Sequence, residues 1–341
     1  MLAWKTLIQR PTTYFHLCLA VAISLIFCSC HNQPTRVLPQ SSSEASPLHR
    51  GSLADYVPAA GLRWMVIGSP QTFAENPEFL RALGRLIPEQ RLAAFANGSG
   101  VELRTLPEGC IAGFDYGTVY FARVGKNTTR VRERFETRLV SEPVVRSPHS
   151  GVWRVTGMVA RTPESLLTVD NDFAAVSVGD PLLVRIAEGF VLERFRKAVP
   201  ALKGAALATL PLELQSAPLQ LYAPGPFPEL WTRGAQGLLA QTFAIGIAVS
   251  LSKPARLDVH AVMSGAFGPN VEDSRARLLK TWDAIQTSAV GHVLGLDKTT
   301  EPSKLEVQVS QATLDFSLVA EPLMKGLSAA LSADAAGIFD L

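Results

Sequence analysis

The sequence lacks the short motifs by which several common enzyme classes are recognised. It has no Gly-x-x-x-x-Gly-Lys-Ser/Thr segment, which excludes a P-loop phosphate site, and no His-Glu-x-x-His segment, which excludes the corresponding zinc-protease helix. Gly98-Ser99-Gly100 lacks the spacing of a hydrolase nucleophile elbow and is typical of a turn after a helix. These absences favour a non-enzymatic protein, and we predict no catalytic residue, no metal and no cofactor.

The sequence also lacks a large excess of charge of either sign. It has 32 Lys and Arg against 30 Asp and Glu, which gives a formal net charge of +2. No block of basic residues occurs along the chain. Because nucleic-acid binding depends on clustered cations, we do not expect a nucleic-acid partner.

The N-terminal apolar run Leu17–Phe27 is too short for a comfortable membrane span, which needs about 20 residues. It follows Lys5 and Arg10 and ends at Ser29-Cys30. A cationic head, roughly 7–15 apolar residues and a small residue before the cut form the layout of a secretory signal. We therefore predict a signal peptide over residues 1–29, whose removal takes away the whole excess of positive charge.

The segment Phe27-Cys28-Ser29-Cys30 resembles the lipobox of bacterial lipoprotein signal peptides, with Phe27 where Leu is usual. The resemblance implies that Cys30 carries the lipid, since bulky Phe27 makes Cys28 the poorer acceptor. An uncleaved N-terminal anchor and an ordinary cleaved signal are the alternatives. In that family, Asp directly after the Cys retains the protein at the inner membrane. The absence of Asp at position 31, where the chain has His31, therefore implies a lipid-anchored protein of the cell envelope, at the outer membrane or its periplasmic side.

Cysteine is scarce, since the chain has only Cys18, Cys28, Cys30 and Cys110. Cleavage leaves the last two, and acylation of Cys30 leaves a single thiol. One thiol cannot form an internal disulfide, so the fold must be held by its core. We predict Cys110 to be a buried strand residue.

The composition along the chain predicts four segments. Residues 1–29 are the signal peptide, and residues 30–54 are the acylated Cys and a flexible tether. Gln40–Pro47 has no apolar face that could offset its ordering entropy. Residues 55–200 and 201–341 then form two folded lobes.

The two lobes show the same order of predicted elements: strand, helix, strand, strand, helix, strands, helix. The order β-α-β-β-α-β resembles the ferredoxin-like arrangement. We predict an α+β fold of two similar lobes, each an antiparallel sheet with helices packed on one face.

Three pairs of predicted helix starts suggest a degenerate internal duplication. The pairs are separated by 154, 143 and 141 residues and are Phe73 with Phe227, Asn127 with Asn270, and Pro181 with Pro322. Near-constant offsets are what a duplicated unit with a few insertions leaves. Coincidence is the alternative, because such helix starts are common. The helix that starts at Phe227 is predicted to run to Ala240.

The polar candidates for a functional site are Asp258 and His260. They alternate with the apolar residues of Leu257–Met263 and so share one strand face, as an acid–base or metal pair would require. An exposed strand face is the alternative, because Arg256 lies on it too. Asp170-Asn171-Asp172 could offer oxygen ligands to calcium, or could simply form a turn.

The tethered α+β body resembles bacterial envelope lipoproteins of no assigned activity. The first hypothesis is a non-enzymatic binding or interaction module, held at the outer membrane by its lipid, that binds an envelope protein or ligand. The second is a carrier or chaperone for a hydrophobic ligand, for which the 47% hydrophobic composition would supply an apolar pocket. The third is a hydrolase that uses Asp258 and His260.

Overall fold

A computed structural model describes residues 36–37, 48–194, 198–210, 212–252, 255–268, 271–298 and 302–339 of the chain. The predicted signal peptide, Cys30, most of the predicted tether and Asn270 lie outside these residues. No helix in the described ranges combines the length and the apolar character needed to cross a membrane.

The described chain contains thirteen strands. They are β1 Arg36–Val37, β2 Leu62–Gly68, β3 Gly109–Phe114, β4 Gly117–Ala122, β5 Val144–His149, β6 Val152–Val159, β7 Thr162–Val169, β8 Ala174–Val178, β9 Leu219–Pro224, β10 Thr242–Leu251, β11 Arg256–Gly265, β12 Lys304–Val307 and β13 Gln311–Val319.

The helices of the described chain lie between these strands or after the last one, and Asn76 and Ser288 cap two of them through their side chains. They are α1 Pro70–Ala74, α2 Pro77–Leu86, α3 Glu89–Ser99, α4 Thr128–Glu136, α5 Leu182–Val191, α6 Glu229–Gly234, α7 Val271–Gln286, α8 Ala289–Leu294 and α9 Ala320–Phe339. The prediction of one helix over Phe227–Ala240 is wrong. Gln236 and Gly237 have positive φ angles of 54° and 79°, which end α6 before a separate 3-10 turn begins.

All thirteen strands belong to one sheet, in the order β1-β5-β6-β7-β8-β4-β3-β2-β9-β10-β11-β13-β12. Every neighbouring pair is antiparallel except β1 with β5, which is parallel. The predicted α+β class with an antiparallel sheet is confirmed. The sheet runs without interruption from one predicted lobe into the other through the pairing of β2 with β9.

Counted outward from β2 and β9, the first five strands of the two halves are connected in the same order. One half runs β2-β3-β4-β8-β7 and continues with β6-β5-β1, and the other runs β9-β10-β11-β13-β12. The order of elements along the chain is the predicted β-α-β-β-α-β, but the arrangement in space differs from a ferredoxin-like one. There the strands of a split βαβ unit are parallel and separated. Here β2 and β3 are adjacent and antiparallel, because the helices between them return the chain to the neighbouring position.

Helices cover both faces of the first half of the sheet, which corrects the prediction of one covered face. Leu167 of β7 packs in the core with α5, whereas its neighbour Leu166 packs on the opposite face with residues of α4. The physical reason is that consecutive residues of β7, from Glu164 to Val169, are all buried. A strand that is buried on both faces does not alternate between apolar and polar residues.

The second half of the sheet has one covered apolar face at its outer strands. Leu257 and Val259 of β11 pack there with Trp282 of α7 and Met324 of α9. Val262, three residues further on and so on the other face, belongs to the core that contains α5. Thus α5 and α9, which follow equivalent strands, pack against opposite faces of the sheet.

The segment before β2 is part of the core and extends beyond the predicted boundary at Asp55. Leu53 is fully buried, and the Tyr56 ring stacks on Phe173 with 4.6 Å between centroids. The predicted burial of Cys110 is confirmed, and burial raises the pKa of its thiol.

Replacing Leu53 with Ala should lower the free energy of unfolding by about 2–5 kcal/mol, because it leaves a cavity at a fully buried position. Leu212→Ala is the matched control, since this leucine is 76% exposed and the change should stay within about 0.5 kcal/mol. Equilibrium urea unfolding measures both. Equal values for the two variants would show that the segment before β2 does not contribute to the core.

Candidate functional site

The strand face predicted from Asp258 and His260 carries a ladder of polar side chains across two strands. The register of β11 against β13 places Asp258 opposite Ser317 and His260 opposite Asp315. The side chains of Asp258, His260 and Asp315 remain 45%, 36% and 44% exposed. The ladder therefore lies on an open strand face that water reaches.

Arg256, Asp258 and Ser317 on this face are joined to one another by three hydrogen bonds. Arg256 Nε donates to Asp258 Oδ1 at 3.0 Å, and Arg256 Nη2 donates to Ser317 Oγ at 2.6 Å. Ser317 Oγ donates to the same Asp258 oxygen at 3.0 Å. Burial alone would raise the pKa of Asp258, but hydrogen bonds from Ser252, Ser317 and Arg256 outweigh it and lower the pKa below 3.8.

His260 is paired with an acid that sequence reasoning missed. Its Nδ1 lies 2.5 Å from Asp315 Oδ1, while Asp258 is engaged with Arg256 and Ser317. The alternation of polar residues with apolar ones along β13 was the available signal. It predicts a polar face but not the strand that this face meets.

The contacts of this face do not form a hydrolytic site. A Ser-His-Asp triad requires the serine hydroxyl to donate to the imidazole. Ser317 instead donates to Asp258. Across the described ranges, no group of three or more His, Cys, Asp or Glu side chains is placed to hold a metal ion. Asn171 adopts a positive φ of 58° in a turn, and the Asp172 carboxylate contacts Arg123, which accounts for the acidic triplet without calcium.

A cleft of about 470 Å³ lies where the segment before β2, the end of β2 and the connector before β9 meet. Its wall combines charged, amide, hydroxyl and aliphatic groups, among them Asp55, Ile67, Ser69, Glu108, Leu202, Lys203, Gln215 and Gln220. Lys203 Nζ lies 3.5 Å from Asp55 Oδ1, and the lysine is 68% exposed. The cleft thus offers both hydrogen-bonding groups and an apolar floor.

A network of partly buried charges holds the wall of the cleft in place. Arg123 Nε donates to Glu108 Oε2 at 2.8 Å, and its other nitrogens donate to Asp172 and to the carbonyl oxygen of Gly51. Glu108 Oε1 accepts from the backbone N–H of Leu53 at 2.8 Å. Burial disfavours the charge on Arg123, but the two carboxylates raise its pKa overall. The ends of three strands are therefore tied to the segment before β2.

A second depression, of about 400 Å³, is mainly apolar. It is lined by Phe227, Leu239, Thr232 and Phe243, with Gly225 and Pro226 at its base. Phe243 is 54% exposed, and nearby on α6 Trp231 is 52% exposed. Its helix is too short to bury every apolar side chain.

The comparisons with known proteins give structural neighbours alone. No protein-family model matches the chain, and no curated protein matches it. Two solved structures of TP0453 are similar at 10% sequence identity. Crystal form III covers 84% of this chain and 99% of its own, with a TM-score of 0.47. Crystal form IV covers 84% and 97%, with a TM-score of 0.45.

The Ser317→Ala variant should raise the pKa of Asp258 towards 3.8, because one donor to the carboxylate is lost. Since the folded-state pKa is the lowered one, the stability that Asp258 contributes is present above its unfolded pKa and is lost as the pH falls through the folded pKa. Carbon-detected NMR titration of the Asp258 carboxyl measures the shift. Thr313→Ala, on the same face of β13, is the control and should leave it unchanged; an unchanged value in both variants contradicts the proposed donors.

Proposed function

We propose that this chain is a non-enzymatic binding module of the cell envelope, held at the outer membrane by lipid on Cys30. Its partner, an envelope protein, binds in the 470 Å³ cleft. The observation that carries the proposal is the chemistry of this cleft. It is open, and it presents an ion pair, amides and aliphatic groups together, which suits a polar peptide segment better than a reactive centre.

The position of the cleft supports a binding role. Its walls come from segments far apart in the sequence, including Asp55, Glu108 and Lys203. The Arg123 network joins the segment before β2 to the start of β3, which form two of these walls. A site whose walls are already in place loses less conformational entropy when a partner binds.

A carrier of a hydrophobic ligand is the alternative function. It is favoured by the apolar depression at Phe227 and Phe243, where an exposed aromatic ring borders about 400 Å³ of space. Lipid that co-purifies with the native chain and is lost in Phe243→Ala would support the carrier over the binding module.

A hydrolase at Asp258 and His260 has the least support, because Ser317 is held by Asp258.

We also infer that the two halves arose by duplication. The common strand order outward from β2 and β9 supports this inference, as does the helix that follows the last strand of each half. Of the predicted helix starts, Asn127 is the N-cap residue of α4 without a side-chain cap hydrogen bond, Pro181 is the N-cap residue of α5, and Pro322 lies in the first turn of α9. The pair Phe73 and Phe227 is wrong, because Phe73 lies near the end of α1 and Phe227 lies before α6. The opposite placement of α5 and α9 would then be a later divergence.

The Cys30→Ala variant should abolish incorporation of radiolabelled palmitate and release the chain from the membrane fraction. Cys28→Ala is the matched control, two residues away, and should keep both label and membrane association. Metabolic labelling followed by fractionation measures the effect. Loss of label in Cys28→Ala alone, or in neither variant, overturns the assignment of Cys30.

A photo-crosslinking residue placed at Lys203, which is exposed at the cleft, should give a defined adduct with one envelope protein. The Leu202→Trp change fills the cleft and should reduce that adduct about tenfold, equivalent to roughly 1.4 kcal/mol of binding free energy. Leu212→Trp, on the exposed side of the same connector, should leave it intact. Crosslinking that survives in Leu202→Trp, or that is equal from exposed Lys280, counts against the cleft.

A further inference from the structure

Positive charge is concentrated in one part of the sheet although the whole chain is nearly neutral. Residues 123–161 carry nine Lys or Arg side chains and three carboxylates, against a net charge of +2 for the full sequence. These residues form α4, β5 and β6, which lie at the β1 end of the sheet. The rest of the chain therefore has an excess of negative charge.

On one face of this end, three arginines lie near one another, and one of them is paired with a carboxylate. Arg146 and Arg154 are directly opposed across β5 and β6, and Arg154 Nη1 lies 2.5 Å from Glu188 Oε2. Arg185 lies one helical turn before Glu188 on α5 and so on the same side. Burial lowers the pKa of Arg154, Glu188 opposes this, and the charges of Arg146 and Arg185 lower it further.

Glu188 neutralises the buried Arg154, so the positive charges of Arg146 and Arg185 are not compensated by it. The side chains of Arg154 and Glu188 are 13% and 10% exposed, so this pair is internal. Arg146 and Arg185 are exposed beside it. An anion that approaches this face meets two accessible guanidinium groups, and guanidinium binds phosphate oxygens in a bidentate manner.

The other face of the same end carries a second line of exposed cations. Lys126, Arg130 and Arg134 follow at intervals of four residues along α4 and the turn before it. The buried side of α4 is formed by Thr128, Val131 and Phe135, so the basic line points away from the sheet. Cations thus border the β5 edge on both sides.

The N-terminal segment reaches the same edge. Arg36 and Val37 form β1, which pairs in parallel with Val144 and Val145 of β5. Only five residues lie between Cys30 and Arg36, which are therefore at most about 20 Å apart in extended chain. A lipid on Cys30 would therefore keep the basic end of the sheet close to the membrane.

We propose that the β5 edge, with Arg146 and Arg185 on one face and the α4 line on the other, is a surface that binds the anionic headgroups of the membrane holding the lipid anchor. The proposal rests on the lipidation of Cys30 proposed above. The covalent lipid inserts into the membrane, and the basic edge orients the folded body relative to the membrane surface. Each basic residue close to an anionic leaflet strengthens binding roughly fivefold.

The test uses the full acylated chain reconstituted in two kinds of vesicle. One kind contains equal amounts of phosphatidylglycerol and phosphatidylethanolamine, and the other contains phosphatidylcholine alone. Phenylglyoxal modifies accessible arginines, and mass mapping gives the rate at each position. Arg146 and Arg185 should react about fivefold more slowly on the anionic vesicles. Arg275, exposed on α7 far along the sheet, should react equally on both.

A charge-reversal variant provides an independent measurement. Arg146→Glu with Arg185→Glu should abolish the protection of Arg134 on anionic vesicles. Arg275→Glu with Lys280→Glu, an equal change of charge on α7, should preserve it. All four substituted side chains are exposed, and none of them takes part in the hydrogen bond between Arg154 and Glu188.

The failure of the anchor and the failure of the basic edge give different results. If Cys30 is not acylated, the measured intact mass of the wild-type chain lacks the mass of the lipid. The Cys30→Ala chain and the wild type then float to the same extent with each vesicle type. If the anchor is present but the edge does not bind headgroups, the wild type floats with both vesicle types and Arg146 and Arg185 react equally on them. That second result overturns the proposal, as does protection that is equal on phosphatidylcholine.

Discussion

The antiparallel pairing of β2 with β9 is the interaction on which the rest of the structure depends. It sets Met65 opposite Tyr222 and turns two half-sheets into one. Buried Gln220 reinforces the junction, since its Nε2 donates to the carbonyl oxygens of Gln215 and Ala217 and its Oε1 accepts from the Tyr222 hydroxyl. Burial raises the pKa of Tyr222 to about 12, so this hydroxyl keeps its proton at neutral pH. The connector between the halves is thereby held against the sheet that it joins.

The cleft exists because of this junction. Its floor includes Ile67 of β2 and Gln220 of β9, and the connector contributes Leu202 and Lys203. If the two halves separated, the wall formed by β9 and the connector before it would be lost from the wall formed by the first half. Any partner that binds in the cleft therefore also stabilises the junction, since it binds the joined form and not the separated one. The polar ladder on β11 and β13 has no such dependence, because its contacts lie within one half.

Local patterns in the sequence predicted the secondary-structure elements better than the contacts between them. The alternation in Leu257–Met263 correctly predicted a strand with Asp258 and His260 on one face, because strand periodicity depends only on neighbouring residues. The partner Asp315 could not be predicted, since it comes from a strand 55 residues away whose register is set by packing. The Arg154–Glu188 pair was missed for the same reason. The single continuous sheet was missed because each half, seen alone, has a complete set of elements.

The Arg123 network has a mechanical consequence. A pull on the N-terminus first loads the two-residue pairing of β1 with β5. Beyond this pairing, the load reaches Gly51, whose carbonyl oxygen is bound to Arg123, and Leu53, whose N–H is bound to Glu108. The load is then shared by charge-assisted bonds at the ends of β3 and β4 before it reaches the ladder of β2. Such bonds are about twice as strong as neutral ones. These bonds therefore bear tension from the N-terminal segment before it reaches the central pairing of β2 with β9.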